Sequence, residues 1–335
     1  MATVLLSMNM GTSTTAIYKT GEGVVLLEPS LVAVSGTGKN KVIKAVGAGA
    51  KKMLGRSNGV TVVSPVFEGR IVDGEMAVVM LKHFISKVVP GKIFRPTIKA
   101  LICTPIGLTA TEKSMLEKVC YASGIGEVVL VPTIITTALG HSLDISSSRG
   151  RCVACMGGGS TNIAILSLNS ILTGIDIGLG GGRIDVAIEK YIQETYHLNI
   201  GAGVAENIKI NIGSLYPNDT NSMEFTGIDQ ETKATKSQTI TSAELYPIIA
   251  EFYDMVAEAI SSVLAQAPTD IIADINNEGI YLYGGAFTIT GAENFMRNKL
   301  HCNINVDSYK FDADVLGGSM LLTDVKLLKE IQSNL

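Results

Sequence analysis

The chemistry in this 335-residue sequence is concentrated in glycine turns set between apolar strands. In residues 155–168, CMGGGSTNIAILSL, an apolar run ending at Met156 meets Gly157, Gly158 and Gly159, then Ser160 and Thr161, then a second apolar run. That order predicts strand, tight turn, strand. A turn without side chains lets an anion approach the backbone amides, and the neighbouring hydroxyls add donors, so the stretch suits phosphate oxygens. It also fits an ordinary hairpin turn. Residues 5–18, LLSMNMGTSTTAIY, repeat the pattern: Asn9-Met10-Gly11 falls on Cys155-Met156-Gly157, and Thr12, Ser13 and Thr14 lead into the next strand. Two such hairpins facing each other would clamp a polyphosphate from both sides. A third turn, LYGGAFTITG at 282–291, carries Gly284, Gly285 and Ala286 between an apolar run and a helix over 292–300. A nucleoside can rest on such a backbone.

Elements must hold these turns in place, and hydrophobic periodicity supplies them. Strands are expected over 2–7, 13–19, 23–27 and 31–35, a turn over 36–40, a short helix over 45–54, an extended segment over 60–63 and a helix over 75–88. A loop over 89–96 leads to a buried strand at 99–103. The capping box Thr109-Ala110-Thr111-Glu112 then opens a helix reaching Tyr121. A strand at 128–131 and a helix from Pro132 to about residue 143 complete the first half. The polar segment DISSSRG, 144–150, is the expected domain boundary. Beyond it lie strand 171–177, helices over 184–196, 204–212 and 242–267, a polar segment with strand-like pieces at 216–238, strands 279–283 and 303–306, and one closing helix over 315–331.

Bulk properties narrow the class. With 46% hydrophobic and 17% charged residues, the chain is a well-buried globular protein, long enough for two domains with separate cores. Net charge is −4 with no basic block beyond Lys51-Lys52, so nucleic acid is not an expected partner. The N-terminal apolar run is too short for a signal peptide, and no stretch approaches the ~18 apolar residues of a membrane span, so a cytoplasmic location is expected. Cys152 and Cys155 form a C-x-x-C, yet residues three apart on a strand point to opposite faces, which disfavours zinc chelation or a disulfide. His83, His141, His197 and His301 are scattered, and no metal-ligand set is expected.

In order and spacing, EPSLVAV, AVGAGAKKMLGR, CTPIGLTATEK, GGGSTNIAILSL, LGGGRIDVAI, AENIKINIG and YGGAFTITG resemble the MreB family, the rod-shape-determining bacterial homologues of actin, over nearly the whole chain. The resemblance implies an α/β, actin-like (ribonuclease H-like) two-domain fold with a nucleotide cleft between the halves. Domain I would cover 1–143, with the C-terminal helix at about 318–335 packing back on it, and domain II 144–317. Gly11, Thr12, Ser13 and Thr14 would form the first phosphate loop, and Gly157, Gly158, Gly159, Ser160 and Thr161 the second. Gly284, Gly285 and Ala286 would be the adenosine motif, with Glu206, Asn207 and Lys209 flanking the adenine and ribose. Glu206 and Lys209, one helical turn apart, also suit a surface salt bridge.

The chain departs from the family where chemistry is done. The family carries Asp at the places of Asn9 and Cys155, carboxylates that hold magnesium and its water shell, and Glu at the place of Val131, where it orients the attacking water. Magnesium prefers hard oxygens and usually takes one or two carboxylates. Asn9 offers a neutral oxygen, Cys155 a soft sulfur and Val131 nothing. Losing a water-positioning acid or base costs roughly 10²–10⁴ in rate. The expectation is ATP held by the surviving amides and hydroxyls, without well-ordered magnesium, and hydrolysed very slowly or not at all. The alternatives are a working ATPase with unrecognised substitute residues, or a non-polymerising regulator that joins or caps filaments of a paralogue.

A second functional feature is the loop VPGKIFRP, where Ile93 and Phe94 lie between Lys92 and Arg95. The family uses an apolar pair here to enter the bilayer surface. Two buried side chains contribute a few kcal/mol, each flanking cation adds about 1 kcal/mol near an anionic leaflet, and a filament repeats the contact many times. The same pair could instead tuck into its own core. The resemblance thus implies a cytoskeletal protein peripheral to the inner face of the cell membrane, self-associating into filaments, with paralogues and the cell-wall synthesis machinery as further partners.

Overall fold

A computed structural model describes residues 3–36, 38–55, 59–91, 96–307 and 312–335. The first half of the chain runs β1 (Thr3–Met10), β2 (Thr14–Lys19), β3 (Gly23–Pro29), β4 (Val32–Ser35), β5 (Val42–Val46), α1 (Ala48–Met53), β6 (Val60–Val63), the short hairpin β7 (Val66–Phe67) and β8 (Arg70–Ile71), α2 (Gly74–Val88), β9 (Thr97–Thr104), α3 (Ala110–Ala122), β10 (Glu127–Pro132) and α4 (Thr133–Gly140). The second runs β11 (Arg151–Met156), β12 (Thr161–Ser167), β13 (Ser170–Ile177), α5 (Gly181–Tyr196), β14 (Leu198–Asn199), α6 (Ala202–Ile212), β15 (Ser222–Asp229), β16 (Thr235–Thr241), α7 (Ser242–Leu264), α8 (Thr269–Glu278), β17 (Ile280–Tyr283), α9 (Ala292–Leu300) and β18 (Ile304–Val306). Helices α10 (Ala313–Thr323) and α11 (Val325–Ser333) follow.

Two five-stranded sheets organise these elements, in the orders β10-β9-β1-β2-β3 and β18-β17-β11-β12-β13. The orders correspond strand for strand. Each sheet is an antiparallel meander, β1-β2-β3 or β11-β12-β13, extended by two parallel strands beside its first member. The Met-Gly repeat in the sequence is the visible trace of this repeated topology. In both sheets the glycine turn joins the same pair of strands, with Met10 opposite Thr15 and Met156 opposite Thr161. A three-stranded sheet accompanies each large one, β5-β4-β6 in the first half and β14-β15-β16 in the second.

Strand alternation sorts the cores. From β1, Leu6, Met8 and Met10 pack with Met80 and Phe84 of α2 and Leu116 and Val119 of α3. From β11, Cys152, Ala154 and Met156 pack with Ile184 and Ile188 of α5 and Ile249 and Tyr253 of α7. The opposite faces of the two sheets share a third core. Leu101 and Val131 of one and Val153 and Leu166 of the other enclose Ile134 and Ile135 of α4, with Leu321, Leu328 and Ile331 from α10 and α11. Cys152 and Cys155 accordingly lie on opposite faces of β11, and all five cysteines are free.

Helices α4 and α10 cross at glycines. A Cβ on Gly140 would collide with the Ala313 carbonyl, and one on Gly317 with the Thr136 carbonyl. Neither obstacle is a flexible side chain, so the helices themselves must separate. Gly317→Ala is therefore expected to destabilise the protein by about 1–3 kcal/mol or more, read as a lowered thermal unfolding midpoint; an unchanged midpoint would contradict so close a crossing.

Three elements differ from the sequence expectations. The short helix expected over 45–54 forms over Ala48–Met53, but Ala45 and Val46 instead end β5, rich in β-branched Val42, Ile43 and Val46, and Gly47 at φ 64 separates strand from helix. Helix α8 was not anticipated, because only Ile271 and Ile275 on it are buried and no long apolar stripe announces it. The single closing helix is two helices broken at Asp324, whose carboxylate accepts from the Leu327 amide at 3.0 Å and caps α11. The capping box at Thr109 and Glu112 forms as expected. Residues 92–95, with Ile93 and Phe94, lie outside the described residues.

Candidate functional site

Both repeated turns close in the same way. The Gly11 amide donates to the Thr14 carbonyl at 3.1 Å, and the Gly157 amide to the Ser160 carbonyl at 2.9 Å. Further carbonyls of both turns are tied to neighbouring elements. In the first turn, Ser30 Oγ donates to the Gly11 carbonyl at 2.6 Å and Ser64 Oγ to the Thr12 carbonyl at 3.3 Å. In the second, the amides of Gly181 and Gly182, which open α5, donate to the Gly157 and Gly158 carbonyls at 2.9 and 2.8 Å. Within a planar trans peptide, the N–H points opposite to the carbonyl it adjoins. The amides of Thr12, Ser13, Gly158 and Gly159 therefore point away from those carbonyl partners, and all four residues line one cavity. The turns meet closely: a Cβ on Gly158 would collide with the Ser13 side chain, and one on Gly159 with that of Thr12.

The cavity between them has a volume of about 360 Å³. Of the residues expected at the site, Gly11, Thr12, Ser13, Thr14, Gly157, Gly158, Gly159, Ser160, Gly284 and Gly285 all line it. Gly284 sits at φ 100, and a Cβ there would collide with the Met156 carbonyl, so the third turn packs directly on the second. Thr161 is buried behind its turn, with its hydroxyl donating to the Leu179 carbonyl. Glu206, Asn207, Lys209 and Ala286 are outside the lining. Lys209 pairs with Asp185 at 2.7 Å and donates to the Gly181 carbonyl at 2.8 Å, bracing the start of α5 behind the second turn. Glu206 pairs with Lys51 at 3.3 Å, so both residues form ion pairs, though with partners other than each other. Asn207 accepts from Asn211.

The three departures fall in different surroundings. Val131 is fully buried in the apolar core shared by the two sheets, outside the cavity lining. Asn9 and Cys155 do line the cavity. Burial, and then the nearby charge of Asp314, push the Cys155 thiol up to about 12, so it is neutral at physiological pH. One carboxylate remains among the described lining residues, that of Asp314 in the first turn of α10. Asn9 Nδ2 donates to one of its oxygens, and the Val315 amide to the other at 2.7 Å. Burial pushes this carboxyl up, and the two donors offset that only in part. Asp314 was not picked out in the sequence. The signal there is an acid just inside a helix, ADVLGGSMLLT, that is otherwise largely apolar or small.

Polar contacts also link the two halves of the chain. Arg70 of β8 reaches Asp176 of β13 at 2.8 Å and Glu112 of α3 at 3.1 Å, and Arg183 of α5 pairs with Glu68 at 3.1 Å. The Ile106 amide donates to Asn162 Oδ1 at 3.1 Å. Among the described residues, no group of three or more His, Cys, Asp or Glu is arranged to hold a metal ion, and no helix is long and apolar enough to cross a membrane.

Known proteins share this architecture. The family model described as MreB/Mbl protein matches residues 3–330. The chain is 35% identical over 284 residues to the cell shape-determining protein MreB of Escherichia coli (strain K12), covering 84% of this chain and 82% of that one. It is 31% identical over 326 residues to the cell shape-determining protein Mbl of Bacillus subtilis (strain 168), covering 96% and 97%. Among solved structures, MreB5 of Spiroplasma citri bound to ADP superposes with a TM-score of 0.90 at 28% identity, over 98% of this chain and 99% of that one. The same protein bound to AMPPNP gives 0.90 over the full length of both chains. The MamK double helical filament gives 0.80 at 19% identity over 96% and 99%, a likeness of fold. With an actin-like α/β fold of two sheet-containing halves and a family match spanning nearly its whole length, the chain belongs to the MreB/Mbl family.

Proposed function

We propose that this protein is a cell-shape cytoskeletal protein that binds ATP in the cleft, assembles with copies of itself into filaments, and hydrolyses the nucleotide very slowly or not at all. The observation that carries the reading is the pair of turns, one from each half, with carbonyls tied back and residues of both lining one cavity, an arrangement that leaves their amides to an anion bound there. Such amides stabilise phosphate oxygens without reorganising when the ligand arrives. The ADP and AMPPNP held by MreB5 support an adenine nucleotide as the occupant. Gly284, Gly285 and Ala286 then take the adenosine, with Glu206, Asn207 and Lys209 of α6 flanking the adenine and ribose. The nucleotide lies between domain I, residues 1–143, and domain II, residues 144–317. Family membership supports self-association, a partnership with wall synthesis, and a position at the inner face of the cell membrane through Ile93 and Phe94.

The test is titration of a fluorescent ATP analogue, with electron microscopy of the same samples. Saturable binding and filaments are the expected results. No binding at millimolar nucleotide would overturn the nucleotide reading, and saturated protein that forms no filaments would overturn the assembly reading. Liposome sedimentation of wild type and Phe94→Ser checks the membrane loop separately, and equal sedimentation would remove it.

A further inference from the structure

We propose that Asp314 supplies the carboxylate that both phosphate turns lack, so that nucleotide binding in this cleft depends on magnesium through a residue of the closing helix α10. This rests on the nucleotide-binding reading above. Asn9 and Cys155, at the ends of the two central strands, bring no anionic oxygen to the cavity. Asp314 reaches the same cavity from a distant part of the chain and is directly hydrogen-bonded to Asn9, which lines it too. Because Asn9 uses its Nδ2 toward Asp314, the amide oxygen lies on the other edge of that planar group. The pair therefore brings a carboxylate and, beyond the Asn9 Nδ2 that it accepts from, an amide oxygen, both hard donors, among the residues that line one cavity.

That set fits magnesium. The ion commonly keeps several waters and takes one or two carboxylates together with phosphate oxygens. The ion, when bound, offsets phosphate charge. Cys155, a neutral thiol, adds nothing to the set. No lysine or arginine lines the cavity among the described residues, so these lining residues supply no lysine or arginine counter-charge for an Asp314 carboxylate facing a polyphosphate. Without a divalent cation these negative groups repel each other, and the repulsion weakens binding. The poorly held magnesium inferred from Asn9 and Cys155 alone is revised accordingly. Hydrolysis stays slow, because the position that would orient water is still Val131, buried in apolar core.

The experiment titrates a fluorescent ATP analogue into full-length wild type and Asp314→Asn, in magnesium and in EDTA, with circular dichroism confirming the fold of each. Wild type is expected to bind about tenfold or more weakly in EDTA than in magnesium. In Asp314→Asn this ratio should fall to within about twofold, chiefly because binding in EDTA improves as the repulsion disappears. Asp314→Ala, which also removes the hydrogen bond to Asn9, should give the same reduced ratio. The ratio separates the proposal from a merely structural role, which would lower affinity equally in both buffers. An unchanged ratio in the variants, or a wild-type ratio near one, would overturn the assignment of Asp314 alone. Absence of wild-type binding in both buffers would sink the nucleotide reading and this assignment with it.

Discussion

Given ATP and magnesium, the purified protein is expected to release phosphate roughly 10²–10⁴-fold more slowly than a family member with glutamate at the position of Val131. Phosphoryl transfer asks little of a protein beyond placing the phosphates, the cation and the nucleophile. The first two have candidates here: the paired turns, and Asp314 with Asn9. The third does not. Val131 is fully buried among Ile134, Ile135 and Ala138, and the next residue to face the cleft from this connection is Thr133, whose hydroxyl donates to the Thr104 carbonyl at 3.0 Å. A hydroxyl is a poor base at neutral pH. The altered positions act on one reaction as a unit, so the losses need not multiply, and a single substitution is not expected to restore turnover. Val131→Glu alone would place a carboxylate against apolar core. Joint replacement of Asn9 and Cys155 by Asp and Val131 by Glu is the informative variant. A wild-type rate matching the glutamate-bearing relative, little changed by that joint replacement, would mean that other groups do the chemistry.

Gly159→Val is expected to weaken nucleotide binding by roughly 100-fold or more, the equivalent of losing two charge-assisted hydrogen bonds. Any side chain there meets Thr12 across the cleft, and the short Thr12 side chain cannot swing aside as a lysine would. The two turns are wedged apart, and amides from both halves lose the same phosphate. Gly203→Ala serves as the control: it lies on α6 in open space, and alanine there should leave binding intact while favouring the helix. Equal affinities for wild type and Gly159→Val would show that the nucleotide does not sit between the turns.

The glycine turns were legible because their chemistry is local: a run of glycines, two hydroxyls and flanking apolar strands say most of what the turn does. The repeat of Met10-Gly11 in Met156-Gly157 was legible for the same reason, and it marks equivalent strands in two sheets of the same order. What the sequence hid is what the fold brings from far away. Asp314 meets Asn9 across 305 positions, and no local pattern joins them. Lys209 and Glu206 are one turn apart on α6, yet each is claimed by a residue of another element, Asp185 and Lys51. The break at Asp324 was masked by apolar residues continuing on both sides of it, so periodicity read one helix where a capping carboxylate starts a second.

The cleft is expected to hold ATP and to keep it intact. The direct measurement is to saturate the protein with ATP and magnesium, leave it for an hour, recover the bound nucleotide and identify it by chromatography. Recovery of ATP, with little ADP, is the expected result. Protein that carries mainly ADP would contradict the slow turnover inferred from Val131, and protein that carries no nucleotide would contradict the cleft's assigned role.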